Sequence, residues 1–238
     1  LASKNHKAAT KWLKQVDDEL LTENIVQWRI ADVLRSQNWQ TIKAELLSLP
    51  KHQQTSSQWQ YWHARSLMQT NEKALGQSLM TTLAKKRHYY GFLAASLLEL
   101  PIQLQDKPLT ISQTEKNALF DNLAGQRAFE LFNIGRFHQA RLEWNYWLSQ
   151  LNKRQKLVAA KLANELGWYD RAIFALSQEG YLDDVDLRFP LAFDQQIKHH
   201  ASKYAINPAW AFAITRRESS FMSDAHSSAG AKGLMQVM

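Results

Sequence analysis

Along most of the chain the apolar residues recur every three or four positions, the spacing that places them on one face of an α-helix. Ile25, Trp28, Ala31 and Leu34 form a first stripe, and Trp39, Ile42, Leu46 and Leu49 a second, which Pro50 closes. Trp59, Trp62 and Leu67 open another pair, completed by Ala74, Leu75, Leu79 and Leu83. Tyr90 to Leu100 makes a further helix that Pro101 ends. Residues 101–113 ("PIQLQDKPLTISQ") carry two prolines and no helical period, so they read as a linker.

Beyond the linker the pattern repeats. "FNIGRFHQA" at Phe132–Ala140 resembles "NELGWYDRA" at Asn164–Ala172, with Gly135 and Gly167 separated by 32 residues. A small residue, an aromatic and an alanine at matching positions predict two antiparallel helices packed closely. The period is near the tetratricopeptide length, and a right-handed stack of helical hairpins follows from it. "RFPLAF" at Arg188–Phe193 marks a second boundary and puts Pro190 at a helix start. Phe193, Ile197, His200, Ala201 and Tyr204 then form one more stripe. Asn207 as N-cap, with Pro208 at the first helical position, starts the last helix.

Composition agrees with an all-α fold. The 238 residues fill one large or two modest domains, and nine tryptophans and ten phenylalanines are ample for a core. Eight glycines and five prolines disfavour a turn-rich all-β protein. The absence of cysteine excludes disulfides and thiolate metal sites. A formal charge of +7 suits an anionic partner, whether nucleic acid, membrane surface or acidic cell-wall polymer. Leu1–Trp12 lacks the apolar core of a signal peptide, and Gly91–Leu100, the longest apolar run, is too short to span a bilayer. Because the chain opens mid-pattern and ends without a stop signal, it reads as a piece of a longer protein.

The candidate chemistry sits at the end. From Pro208 the helical pattern puts Ala211, Ile214, Glu218 and Phe221 on one face, which turns Glu218 toward the apolar side with Arg216 and Arg217 flanking it. Desolvation and the helix C-terminus both favour a protonated carboxyl, as a general acid near neutral pH requires. The alternative is that Glu218 caps the helix or pairs with an arginine. Elsewhere, His199 and His200 point in different directions on a helix and have no third ligand at metal-binding spacing. The basic cluster Lys85–His88, beside Tyr89 and Tyr90, reads as a solvated helix end without a nucleic-acid motif. Trp59, Trp62, Trp144 and Trp147 fall at core spacing.

The downstream residues raise the weight of Glu218. Glu218-Ser219-Ser220-Phe221, then Ser227, Gly230 and Gly233-Leu234-Met235-Gln236-Val237-Met238, resemble the signature of soluble lytic transglycosylases. These are bacterial cell-wall enzymes with a goose-type-lysozyme-like catalytic domain. "RFPLAF" and "INPAWAFAITRRES" resemble the entry to that domain, and the helical remainder resembles the family's superhelical domain followed by its helical linker domain. The resemblance implies three parts: 1–110 as the end of the superhelical stack, 111–188 as the helical linker domain, and 189–238 as the first helices of the lysozyme-like α domain.

It also implies a reaction: non-hydrolytic cleavage of the β-1,4 bond between N-acetylmuramic acid and N-acetylglucosamine, leaving a 1,6-anhydromuramyl end. By that resemblance Glu218 is acid and then base, Ser227 and Gln236 hydrogen-bond the sugar, Met238 lines the groove, and Gly233 to Met235 form its inner wall. Asp224, the only other carboxylate nearby, has no assigned role. One carboxylate suffices when the substrate's own hydroxyl is the nucleophile, since an intramolecular attack gains the proximity advantage. The expected partner is the peptidoglycan glycan strand, with no cofactor, no metal, no nucleic acid and at most peripheral membrane contact. A monomer in the periplasm is expected, with a signal peptide on the precursor. Groove tyrosines that the family draws on are absent from the chain, so it is expected to be inactive alone. A non-catalytic helical-repeat scaffold is the alternative.

Overall fold

The structure, a computed structural model, describes residues 11–13, 15–17, 20 and 22–238. Nearly all of the Leu1–Trp12 stretch read for a signal peptide lies outside the described residues. Among the described residues no helix is long and apolar enough to cross a membrane. The chain divides into two compact units, Leu1–Gln105 and Asp106–Met238.

The first unit contains α1 (Glu23–Arg35), α2 (Trp39–Ser48), the single turn α3 (Lys51–Gln54), α4 (Ser57–Met68), α5 (Lys73–Ala84) and α6 (Tyr89–Leu97). Thr22, Asn38 and Ser56 cap α1, α2 and α4 by accepting a backbone N–H on the side chain, which satisfies part of each helix's unpaired first turn. The helices fall where the pattern predicts, but two apolar faces are displaced by one position. In α1 the core takes Val26, Ile30 and Val33, leaving Trp28 51% exposed. In α5 it takes Gly76, Met80 and Leu83, leaving Leu75 and Leu79 exposed. Gly76 explains the second displacement. A Cβ there would lie 2.7 Å from the Ala64 carbonyl oxygen, so α5 meets α4 along the glycine side. Within the Lys85–His88 cluster, Arg87 donates to the Leu104 carbonyl at 3.2 Å and Lys86 to the Gln60 amide oxygen at 3.1 Å, so part of this charge serves the unit's own structure.

The second unit starts with an extended segment that ends in a capping box. Ser112 and Glu115 satisfy each other's backbone N–H at the start of α7 (Gln113–Phe120). The predicted linker is indeed non-helical across 101–112. Leu109 is buried in it, and its N–H donates at 2.7 Å to Asp184, whose other carboxylate oxygen caps the short helix at Val185–Arg188 by accepting from Leu187 at 2.9 Å. Two helical hairpins follow, α8 (Leu123–Asn133) with α9 (Phe137–Ser149), and α10 (Lys153–Glu165) with α11 (Tyr169–Gln178). Their turns pass through Gly135 at φ 76° and Gly167 at φ 82°, the left-handed conformation that glycine adopts without steric cost. Phe129, Trp144, Trp147 and Trp168 pack edge to face between the hairpins.

The short α12 (Val185–Arg188) leads to α13 (Asp194–Lys203) and α14 (Pro208–Glu218). Pro190 is not at a helix start, contrary to the sequence pattern. The chain stays irregular until Phe193, at φ 57°, turns it into α13. Of the α13 stripe, Ile197 and Ala201 are buried, while His200 and Tyr204 remain exposed.

Candidate active site

α14 begins as its sequence dictates. Asn207 accepts the Ala209 N–H at 2.9 Å, and Pro208 occupies the first turn, where its missing N–H costs nothing. The helix stops at Glu218. Ser219 leaves the helical conformation, and Ser220 and Phe221 follow with φ 53° and 67°, two successive left-handed residues with side chains. Such residues cost about 1–3 kcal/mol each and persist only when their surroundings hold them. Here Phe221 is buried against Ile173, Ala192 and Ile197, and the Ser220 hydroxyl accepts from Arg216 at 3.1 Å.

Glu218 itself is exposed, which corrects the expectation that it turns toward the apolar side. That face was drawn by extending the helix to Phe221, but the helix ends three residues earlier. The buried line of α14 instead runs from Thr215 to Ser219. Glu218 borders an open cavity of about 350 Å³ with Trp210, Ala213, Ile214 and Arg217. Among the described residues its carboxylate has neither a hydrogen bond nor an ion pair. It does not cap the helix, and Arg216 is directed elsewhere, donating to the Arg188 carbonyl at 2.8 Å as well as to Ser220. Burial, with Arg188 nearby, pushes the Arg216 guanidinium below its ordinary pKa.

The tail folds back on the helix end through single hydrogen bonds. The Ser219 hydroxyl donates to the Leu234 carbonyl at 2.8 Å, so the serine of the Glu-Ser pair ties the helix terminus to the Gly233–Gln236 segment. The Gly233 N–H donates to the Ala225 carbonyl at 2.9 Å. Isolated bridges pair His226 with Lys232 and Lys232 with Val237. Gly230 and Gly233 both have positive φ, at 94° and 71°, which is the backbone reason for the motif's two glycines.

The predicted site residues occupy distinct places on this tail. Ser227 closes its turn, since its hydroxyl oxygen accepts the Ala231 N–H at 3.0 Å and its O–H proton stays available to a ligand. Gln236, at φ 49°, donates its amide to the Gly233 carbonyl at 2.9 Å, leaving the side-chain carbonyl free to accept. Met235 lines a cavity of about 500 Å³ with Ile214, Leu234, Ile197 and Tyr204 rather than the Glu218 cavity. Met238 is 86% exposed. A third cavity, about 680 Å³, lies on the Phe189, Leu191 and Phe212 side of α14. Among the described residues no group of three or more histidines or carboxylates is placed to hold a metal.

Two residues escaped the sequence reading. Trp210 is strongly exposed beside Glu218, and its position two turns upstream on α14 was a usable signal. Arg141, on α9, makes a two-pronged ion pair with Asp224 at 2.6 and 3.0 Å. The two are 83 residues apart, and nothing in the local pattern joins them.

The comparisons with known proteins set this all-helical chain beside the soluble lytic murein transglycosylases. Residues 119–185 match the soluble lytic murein transglycosylase L domain, and residues 195–238 match the transglycosylase SLT domain. A Haemophilus influenzae protein named for the soluble lytic murein transglycosylases is 30% identical over 232 residues, covering 96% of this chain and 37% of that protein. The crystal structure of an inactive glutamate-to-glutamine mutant of the Pseudomonas aeruginosa lytic transglycosylase Slt shares 38% identity at a TM-score of 0.79, over 98% of this chain and 38% of its own. The 70 kDa soluble lytic transglycosylase of Escherichia coli, at 23% identity and a TM-score of 0.76 over all of this chain and 44% of its own, shares the fold. The chain is a relative of the soluble lytic murein transglycosylases, and it spans roughly two fifths of their length.

Proposed function

We propose that this chain supplies the catalytic acid and one wall of the active site of a periplasmic peptidoglycan lytic transglycosylase. The observation that carries the reading is Glu218: a carboxylate with no partner, facing an open cavity, at the end of a helix whose next residue is bonded to the glutamine-bearing tail. The Pseudomonas aeruginosa relative is described as inactive once a glutamate is replaced by glutamine, and we take Glu218, the glutamate of the family-like motif in this chain, as its counterpart.

In this reading the protonated Glu218 gives its proton to the glycosidic oxygen as the bond from C1 of N-acetylmuramic acid breaks. The resulting carboxylate then takes the proton of that sugar's C6 hydroxyl while O6 closes onto C1. The glutamic acid is regenerated and no water is consumed. One group serves twice, and the nucleophile is already tethered to the reacting carbon. Ser227 can donate its hydroxyl proton, and Gln236 can accept with its side-chain carbonyl, both toward the sugar. Met238, with Gly233, forms the groove edge, while Met235 turns to the neighbouring cavity. The net positive charge favours retention on an anionic polymer.

The test is Glu218→Gln in the full-length protein, assayed by release of anhydromuropeptides from sacculi. A fall of at least about a hundredfold is expected from removing the general acid. Unchanged release would leave the chain as a scaffold without chemistry. The 238-residue chain by itself is expected to release no product.

A further inference from the structure

We propose that Arg141 is a positioning residue for the Glu218 site, holding through Asp224 the loop on which the Gln236 tail is built. The inference rests on the reading of Glu218 given above. Arg141 belongs to the region that matches the L domain and Asp224 to the region that matches the transglycosylase domain, so the bond joins the two.

The geometry makes this pair more than a surface contact. Two nearly parallel N–H···O bonds, at 3.0 and 2.6 Å, fix the plane of the carboxylate as well as its distance. The side chains retain 23% and 28% of their exposure, so solvent screens them less than an open ion pair. Arg141 stands on a rigid base, because Ala140 before it and Trp144 one turn later are buried in the aromatic core. Its guanidinium lines a cavity of about 230 Å³ with Phe132, Trp168, Asp170, Met222 and Asp224. Asp170, only 4% exposed, is bonded to Arg171 at 2.8 Å, which leaves Arg141 directed to the loop.

From Asp224 the connection to the site is short. The next residue, Ala225, accepts the Gly233 N–H at 2.9 Å, and Gly233 accepts the Gln236 amide at 2.9 Å. The only other polar tie between the helix end and this segment, among the bonds described above, is Ser219 to Leu234. Releasing Asp224 therefore removes this segment's tie to α9 and leaves it held by Ser219 to Leu234 and by the packing of Leu234 with Phe221, so that its register against Glu218 loosens. Binding of the glycan would survive better than turnover, because turnover depends on placing Gln236 and Ser227 against the reacting sugar.

The experiment uses the full-length protein with Arg141→Ala, Arg141→Lys, Asp224→Asn and the Arg141→Ala/Asp224→Asn double variant. Two readouts are taken: kcat and KM on sacculi, and hydrogen exchange of the 219–238 tail. Expected are a drop in kcat of about tenfold or more with KM little changed, and exchange at Gly233 faster by about tenfold. Arg141→Lys should recover part of both, and the double variant should be no worse than the worse single one. Tail exchange unchanged in Asp224→Asn and Arg141→Ala would overturn the proposal, as would effects that simply add in the double variant. If the unsubstituted enzyme has no lytic activity, the reading of Glu218 fails, yet the exchange result still decides whether Arg141 positions the tail.

Discussion

The paired hairpins of residues 123–178 and the tail of residues 219–238 are held together in opposite ways. The hairpins bury Phe129, Trp144, Trp147 and Trp168 in one continuous core, so their stability is spread over many apolar contacts. The tail buries Ser219, Ser220, Phe221 and Ala231 but few large apolar side chains, and its shape depends on single hydrogen bonds and on residues at positive φ. Burial sets where the site stands, while a few directional bonds set what it can do. Damage in the two regions should therefore differ in kind.

The largest effect belongs to the core. Trp147→Ala should cost about 3–5 kcal/mol, as expected for a buried aromatic removed from a packed site, and thermal unfolding of the full-length protein measures it. Activity below the new midpoint should be largely kept, since Trp147 lies in the hairpin core. A loss of activity without loss of stability would erase the distinction between the regions. Ser219→Ala is the reverse case. It should cost only about 1 kcal/mol of stability, while kcat on sacculi falls several-fold more than the unfolded fraction explains, because the helix end loses its bond to Leu234. Equal effects on both would sink this account of Ser219.

The smallest effect is electrostatic and tests the tie between α7 and the hairpins, away from the tail. The Arg154 guanidinium, with Ser112, pulls the Glu115 carboxyl down to about 2. A carboxylate with a depressed folded pKa stabilises the fold above its unfolded value of about 4.3. That contribution is lost as the pH falls through about 2. In Arg154→Ala the Glu115 titration, followed by NMR, should move up toward the ordinary range. A midpoint that stays put would mean that Arg154 is not the cause.

The same contrast explains what could be read from sequence. Helices with clean periods and strong caps were legible, including the Asn207-Pro208 start of α14 and the matched turns at Gly135 and Gly167. Which face of a helix turns inward was less so, because a partner chooses it. Gly76 rotates α5 by admitting Ala64, and no period in residues 73–84 contains that fact. The motif marked Glu218, Ser227 and Gln236 as candidates, and the positive φ of Gly230 and Gly233 was anticipated by their being glycine. The exposure of Glu218 was not legible, since Ser220 and Phe221 take left-handed conformations that their side chains would ordinarily avoid. Neither was the Arg141–Asp224 pair, which two sequence-distant regions create only when folded.

The central claim is that one carboxylate is enough because the substrate supplies its own nucleophile. Digesting sacculi with the full-length protein in heavy-oxygen water tests this most directly, with the muramyl ends of the products read by mass spectrometry. The account predicts anhydro ends carrying no solvent oxygen. Reducing ends labelled with heavy oxygen at C1 would show that water is the nucleophile, and would contradict it.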